Sequence, residues 1–131
     1  MTSKNTLSME IINSYHTNDY YGAAEKTKIL LHYCECPEEQ FQISVDLAHL
    51  LCLAEKYEEA TPILKRLIKE VGIHPEISDE VMEKIYLAYA SCMLHSNDYI
   101  RFYYFINKYL KIAQKSNPDA YSAVKQIVSH D

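Results

Sequence analysis

One stretch decides the fold, and it reads Leu47-Ala48-His49-Leu50-Leu51-Cys52-Leu53-Ala54-Glu55-Lys56-Tyr57-Glu58-Glu59-Ala60, continuing through Ile63-Leu64 to Leu67-Ile68. Apolar residues recur at helical spacing before Glu55 (Leu47, Ala48, Leu51, Ala54) and again from Tyr57 onward (Tyr57, Ala60, Leu64, Leu67, Ile68). The small side chains of Ala48 and Ala60 allow two helices to approach closely. The stretch therefore predicts two helices folded back on each other over a very short corner.

The same residues carry a resemblance to the tetratricopeptide repeat, a helix-turn-helix unit of about 34 residues. Leu47-Ala48 match the core pair of its first helix, and Tyr57-Glu58-Glu59-Ala60 match the opening of its second helix. Leu64 and Leu67 match later core positions. The resemblance implies an all-α protein, folded as a short right-handed tetratricopeptide-like superhelix of three helix-turn-helix pairs with a C-terminal capping helix.

Composition and charge narrow the classes of function. Only 2 Gly and 4 Pro among 131 residues leave little room for the turns of a β-sandwich or barrel, so one helical domain over residues 1–131 is expected. The net charge of −5 argues against a nucleic-acid partner, because phosphate binding needs a basic face. The sequence has no apolar run long enough for membrane insertion and no signal-peptide core at its amino terminus, which predicts a cytoplasmic protein.

Turn and cap residues set the ends of the remaining helices. The predicted helices cover residues 6–17, 20–33, 37–54, 57–71, 79–95, 99–115 and 118–128, each end being approximate. They group into units at about 6–34, 37–72 and 78–115, with a cap at 118–129. Tyr21 and Ala24 precede Tyr57 and Ala60 by close to one repeat length, but Lys28 stands where a core residue is expected. The first unit is therefore a degenerate repeat.

The sequence contains no catalytic constellation, so we expect a protein that is not an enzyme. The nearest approach to a metal site is His32 with Cys34 and Cys36, since imidazole and thiolate are zinc ligands. A structural zinc site takes four ligands, usually in two pairs, and no second pair follows. We therefore expect free thiols in a reducing compartment, no metal and no cofactor. A thiol or metal sensor is the weakest alternative.

Tyrosine supplies most of the aromatic bulk, with 12 Tyr, 3 Phe and no Trp. The tyrosines expected at core positions are Tyr15, Tyr57, Tyr86, Tyr89, Tyr99 and Tyr109. The run from Tyr99 to Phe105 is different, because one helix cannot bury every side of itself in a single-layer stack. Tyr103, Tyr104 or Phe105 must then face outward, and these three residues are predicted to form a secondary interface.

The resemblance also implies a concave groove, lined by the first helix of each unit. Carried onto this sequence, the predicted groove residues are Met9, Asn13, Val45, His49, Cys52, Leu53, Lys84, Leu87, Ser91 and Leu94. Half of this wall is apolar, which suits the apolar face of an amphipathic helix from a partner protein. The alternative is that the last helix or the amino terminus of the same chain fills the groove.

These features predict a non-catalytic protein-binding module, and a chaperone or adaptor for a helical partner is the leading interpretation. In size, negative charge and repeat content the chain is similar to the small chaperones of bacterial type III secretion. A second interpretation is a self-associating structural or regulatory module of a larger assembly, which would form a homo-oligomer.

Overall fold

In the computed structural model, residues 4–73 and 76–129 are described. These ranges contain seven α-helices: α1 (Lys4–His16), α2 (Tyr20–Tyr33), α3 (Pro37–Leu53), α4 (Tyr57–Val71), α5 (Asp79–His95), α6 (Tyr99–Ser116) and α7 (Pro118–Ser129). The described residues contain no β-strand. The all-α prediction is confirmed, and the helix ends lie close to the predicted ones.

Polar side chains cap the starts of four helices, and at α7 the Oδ1 of Asn117 accepts from the Ala120 amide at 3.3 Å. The carboxylate of Asp19 accepts a hydrogen bond from the Gly22 amide at 3.0 Å, at the start of α2. Ser78 accepts from the Val81 amide at 3.3 Å before α5, and Asp98 accepts from the Arg101 amide at 3.1 Å before α6. Each bond satisfies an amide that has no partner within its own helix.

The turns α1–α2, α3–α4 and α5–α6 have the same backbone conformation. Each contains a non-glycine residue in the left-handed region: Asn18 (φ 63°), Glu55 (φ 60°) and Asn97 (φ 62°). The amide that follows donates five residues back, from Asp19 to Ser14 O at 2.8 Å, from Lys56 to Leu51 O at 2.7 Å and from Asp98 to Met93 O at 2.9 Å. This pattern is a Schellman motif, which terminates a helix and reverses the chain.

The shared turn fixes the register between the three hairpins. Tyr20, Tyr57 and Tyr99 are the first residues of their helices, directly after equivalent turns. The prediction that matched Tyr21 with Tyr57 was therefore one residue out of register. The hydroxyls of Tyr20 and Tyr99 donate to the Oδ1 atoms of Asn18 and Asn97, at 3.0 and 3.1 Å, so these two turns share a side-chain contact as well.

The chain divides into two compact units, Met1–Leu67 and Ile68–Asp131. In the first unit α1 packs against α2 and α2 packs against α3. The buried apolar side chains of this unit are Leu7, Ala23, Ala24, Cys34, Val45, Leu47, Ala48, Leu50, Leu51, Ala60, Leu64 and Leu67. The burial of Leu47, Ala48, Leu51, Ala60, Leu64 and Leu67 confirms the core that the opening stretch predicts.

An ion-pair cluster joins α2 to α4 within the first unit. Lys28, which the sequence places at a core position, is instead half-exposed, and its Nζ lies 2.8 Å from Glu25 Oε1 and 3.1 Å from Glu59 Oε1. The hydrogen bond to Glu25 is the main reason that the pKa of Lys28 is raised. The one-residue shift of register puts buried Thr27 at that core position, and Lys28 lies beside it at the surface, where two carboxylates meet it.

In the second unit α5 packs against α6, and α6 packs against α7. One core cluster consists of Ala90, Ile106, Tyr109 and Ala113, with further apolar side chains around it (Tyr86, Leu87, Phe102, Phe105, Leu110, Tyr121, Val124, Val128). Burial raises the pKa of Tyr89 and Tyr109, because it disfavours the charged form of each phenol.

Two of the tyrosines expected in the core are at the surface. Tyr15 is 44% exposed and Tyr99 is 54% exposed. Tyr99 is the first residue of α6, where its hydroxyl reaches back to Asn97 across the turn. This hydrogen bond holds the Tyr99 side chain beside the turn.

Candidate functional site

The second unit carries a contiguous group of exposed apolar side chains on α6. Tyr99, Ile100, Tyr103 and Tyr104 stand at positions i, i+1, i+4 and i+5 of the helix and therefore share one side of it. Their exposed fractions are 54%, 87%, 39% and 57%. We call these four residues the α6 outer face.

The side of the helix that faces away from Ile100 and Tyr104 is buried. Ile106, Tyr109 and Ala113 lie in the core cluster of the second unit. Burial of this side already anchors the helix in the unit, so the α6 outer face is not needed to hold it there. Exposed apolar side chains that gather on one surface are typical of protein-interaction sites.

The predicted secondary interface is corrected at one of its three residues. Tyr103 and Tyr104 are exposed, but Phe105 is half-buried and packs against the core cluster. Its ring is 4.7 Å from that of Tyr89 in an edge-to-face contact and 6.1 Å from that of Tyr86 in a stacked one, measured between centroids. Residue 105 lies on the α5-facing side of the helix, about 100° around the axis from residue 104.

Tyr104, at the carboxyl-terminal end of the α6 outer face, is in contact with a cation. Lys108 Nζ lies 5.1 Å from the centroid of the Tyr104 ring and 5.7 Å from that of Tyr86, both within cation–π range. Tyr104 also meets Phe105 edge-to-face at 5.0 Å. These contacts restrict the Tyr104 ring while more than half of the side chain remains exposed, which reduces the entropy that binding would cost.

The groove residues of the first unit lie on α1 and α3. Met9 is 65% exposed and Asn13 is also exposed, on α1. On α3, Leu53 is 38% exposed, whereas His49 and Cys52 are half-buried. Met9, Asn13 and Leu53 are therefore open to solvent, and His49 and Cys52 are less accessible.

Val45 was expected in the groove wall, and this expectation is wrong, because the side chain is only 2% exposed. The buried residues of α3 are Ser44, Val45, Leu47, Ala48, Leu50 and Leu51, which cover most of the helix circumference. A helix that is apolar nearly all round is buried on most sides. The accessible side of α3 is therefore narrower and more polar than predicted, and Gln42 and Asp46 hydrogen bond to each other there at 3.3 Å.

The groove residues of the second unit lie on one side of α5, at Lys84, Leu87, Ser91 and Leu94. Leu94 is 46% exposed, while Lys84 and Ser91 are half-buried. Leu87 is half-buried too, and it packs against the core cluster of α5 and α6. Leu87, which was predicted to bind a partner, therefore also contributes to the core of the second unit.

The cysteines next to His32 occupy different environments. Cys34 is 4% exposed, and its Sγ donates to Glu39 Oε2 at 3.3 Å. Burial is the main cause that raises the pKa of Cys34, which keeps the thiol protonated and poorly nucleophilic at neutral pH. Cys36 is exposed, and its Sγ donates to Glu38 Oε2 at 3.0 Å. Within the described ranges, no three His, Cys, Asp or Glu side chains are grouped as metal ligands would be.

None of the seven helices, in the part of the chain that the structure describes, has the length and apolarity needed to cross a membrane.

Comparison of the chain with protein-family models, curated proteins and solved structures gave no match. The site must therefore be interpreted from its own residues.

Tyr99 and Ile100 belong to the exposed surface but were missing from the predicted interface. The signal that could have found them is the i, i+4 relation of Tyr99 to Tyr103 and of Ile100 to Tyr104. Once Tyr103 and Tyr104 are assigned to the outside of a helix, their neighbours one turn earlier must lie on the same side.

Proposed function

We propose that this protein is a non-catalytic protein-binding module and that the α6 outer face is its main binding surface. One observation carries the proposal: four large apolar side chains lie together in solvent on a helix that fills the core through other residues, Ile106, Tyr109 and Ala113. Interfaces between proteins are enriched in tyrosine and depleted in charge at their centres. Three of the four side chains are tyrosine, and none is charged.

The three equivalent turns support a scaffold made of repeated hairpins, and we include in the proposal the tetratricopeptide-like superhelix with α7 as its cap. Repeat scaffolds bind partners through surface residues that their fold does not require.

The chemistry at Cys34 favours a structural role, since a buried protonated thiol is a poor nucleophile.

The biological role that fits this surface is that of a chaperone or adaptor for a helical partner. The resemblance to small chaperones of bacterial type III secretion in size and charge supports the same role. The exposed groove residues, Met9 and Leu53 of the first unit and separately Leu94 of the second, are further candidates for partner contact. Self-association through the α6 outer face is the alternative, which solution mass at several concentrations distinguishes.

The test compares two surface variants with the wild-type protein in quantitative co-purification from the native host. In the first variant, Tyr103→Ser and Tyr104→Ser remove two rings of the α6 outer face. In the second, Leu53→Asp and Leu94→Asp place charges on the predicted groove; Leu87 is avoided because it contributes to the core. Thermal denaturation checks that both variants remain folded.

We expect the amount of partner retained by the tyrosine variant to fall by about tenfold or more relative to the wild type, because aromatic anchors dominate binding energy. The groove variant should retain the partner. If the groove variant alone loses it, the binding surface is the one predicted from the sequence. If both variants bind as the wild type does, the proposed binding function of these surfaces is wrong.

A further inference from the structure

The exposed side of α6 continues beyond its apolar residues as a row of lysines. Ile100, Tyr104, Lys108, Lys111 and Lys115 follow one another at intervals of three or four residues, so they lie along one side of the helix. Lys111 and Lys115 are exposed, and Lys108 is half-buried against the Tyr104 ring. We call Lys108, Lys111 and Lys115 the lysine row.

No negative charge on the same helix balances this row. The segment Tyr99–Ser116 contains no Asp or Glu, although the whole chain has a net charge of −5. The fourth cation of α6, Arg101, is paired with Asp98 at 2.7 Å. Glu83 of α5 accepts a hydrogen bond from Ser116. Among the described residues, Lys111 and Lys115 form no ion pair.

Helix stability explains only one of these lysines. A cation at the carboxyl end of a helix interacts favourably with the helix dipole, but the effect is confined to the last turn. Lys115 stands in that turn, whereas Lys108 and Lys111 are earlier in α6. The row therefore combines with the α6 outer face into one strip, apolar at the amino-terminal end of the helix and positively charged at the carboxyl end.

From this juxtaposition we propose that α6 binds an acidic amphipathic helix of a partner protein. Apolar side chains of that helix cover the α6 outer face, and its carboxylates lie over the lysine row. The inference rests on the proposed binding function and adds the chemical class of the partner. The strip runs from Tyr99 to Lys115, about 24 Å at the rise of an α-helix, which is the length of four to five turns of a partner helix.

Charge complementarity on this short strip favours an acidic peptide segment over an extended anionic surface. Elsewhere the chain is strongly acidic, because a net charge of −5 includes a cationic α6. A membrane or a nucleic acid would repel that remainder, whereas a single helix would contact only the strip.

The experiment uses two synthetic helix-forming peptides as probes, identical in length and in their leucine face. One carries glutamates on the flanking positions and the other carries lysines. Binding to the full-length protein is measured by fluorescence anisotropy, at low salt and at about 0.5 M NaCl, where the Debye length is only a few ångström. We expect the acidic peptide to bind at least about tenfold more tightly at low salt, and the advantage to shrink at high salt.

Matched charge reversals test whether the lysine row causes the preference for the acidic peptide. In the row variant, Lys108, Lys111 and Lys115 are all changed to Glu. In the control, the three exposed cations of α4, Lys65, Arg66 and Lys69, are changed to Glu, so net charge changes by the same amount. Only the row variant should lose the preference for the acidic peptide. Should the row variant fail to fold, Lys111→Gln with Lys115→Gln gives the same comparison at two exposed positions.

The outcomes separate this inference from the binding function on which it rests. If both peptides bind equally and Tyr103→Ser with Tyr104→Ser abolishes both, the α6 outer face is a binding surface, but the acidic partner is wrong. If neither peptide binds, both proposals fail for a helical partner. If the protein instead binds phosphatidylserine vesicles, and the row variant does not, the lysine row is a membrane contact and the inference is overturned.

Discussion

The helices α4 and α6 begin after the same turn but expose different chemistry. Tyr57 and Tyr99 follow equivalent Schellman motifs, with Glu55 and Asn97 in the left-handed region. The exposed side chains of α4 are mostly charged: Glu58, Glu59, Lys65, Arg66 and Lys69. Those of α6 include a group of apolar residues near its amino-terminal end, and its exposed charged side chains are all cationic.

This difference separates what the fold requires from what it leaves free. The turn recurs because each hairpin must reverse its chain within a few residues. The outer side of the second helix is not constrained in this way, since α4 forms with Glu58 and Pro62 where α6 has Ile100 and Tyr104. The apolar surface of α6 therefore needs an explanation other than folding, and partner binding provides one.

The largest expected effect concerns the side chain three residues after each of these tyrosines. This position is Ala60 in α4, which is fully buried, and Phe102 in α6, which is half-buried. Ala60→Phe should lower the free energy of unfolding by about 3 kcal/mol or more, because the ring has no space to occupy. Urea denaturation measures it.

The reciprocal change is the control. Phe102→Ala should cost about 2–3 kcal/mol, because it removes apolar contacts from the core of the second unit. If Ala60→Phe is tolerated without loss of stability, α4 has room for a ring at this position as α6 does, and the two helices differ less than their sequences indicate.

A smaller effect is expected at the turns themselves. Glu55 has φ 60°, a conformation that costs a non-glycine residue free energy and that asparagine tolerates better. Glu55→Gly should therefore raise the free energy of unfolding by about 0.5–1 kcal/mol. Asn97→Gly should gain less, because it also removes the acceptor of the Tyr99 hydroxyl. A loss of stability in Glu55→Gly would contradict the equivalence of the turns.

The smallest effect is the pH dependence of the α6 cap. Hydrogen bonds from the side chain and the amide of Arg101 hold the pKa of Asp98 below its usual value of 3.8. A depressed folded-state pKa adds stability that is present above the unfolded-state pKa and is lost as pH falls through the folded-state pKa. Asp98→Asn keeps a capping side chain and should lose only this component. Its melting temperature should converge with that of the wild type in strong acid.

Lys56 occupies the same position before α4 and supplies the matched control. Lys56→Asn introduces the same side chain but removes no carboxylate, so its difference from the wild type should not shrink below pH 4. If Asp98→Asn differs from the wild type by a constant amount across the acidic range, the Arg101 contact does not act through ionisation.

Much of the helical architecture could be predicted from the sequence because its signals are local. Pro37, Ser78 and the Asn97-Asp98 pair determine helix ends through their own backbone and capping chemistry. The core residues of the opening stretch, such as Leu51 and Leu64, follow from helical spacing alone, and both are buried.

The outward-facing side of each helix was harder to predict than its ends, because apolar spacing does not fix the rotation of a helix with apolar residues all round. This ambiguity put Val45 in the groove and Phe105 at the surface, and in both cases the side chain packs inside. It also hid Ile100, which follows a charged turn and is 87% exposed. Which side is buried depends on the helices that pack against it, and a single sequence does not provide that information.

The most direct test of the central claim changes one residue of α6 to its counterpart in α4. Ile100 follows Tyr99 as Glu58 follows Tyr57, so Ile100→Glu transfers the α4 chemistry to the α6 outer face. The measurement is the amount of partner retained by this variant relative to the wild type in co-purification from the native host. We predict a loss of about tenfold, with an unchanged or slightly higher melting temperature, since a carboxylate near a helix amino terminus is favourable. Full retention of the partner would contradict the claim that this face binds it, and unfolding of the variant would show that the fold requires Ile100.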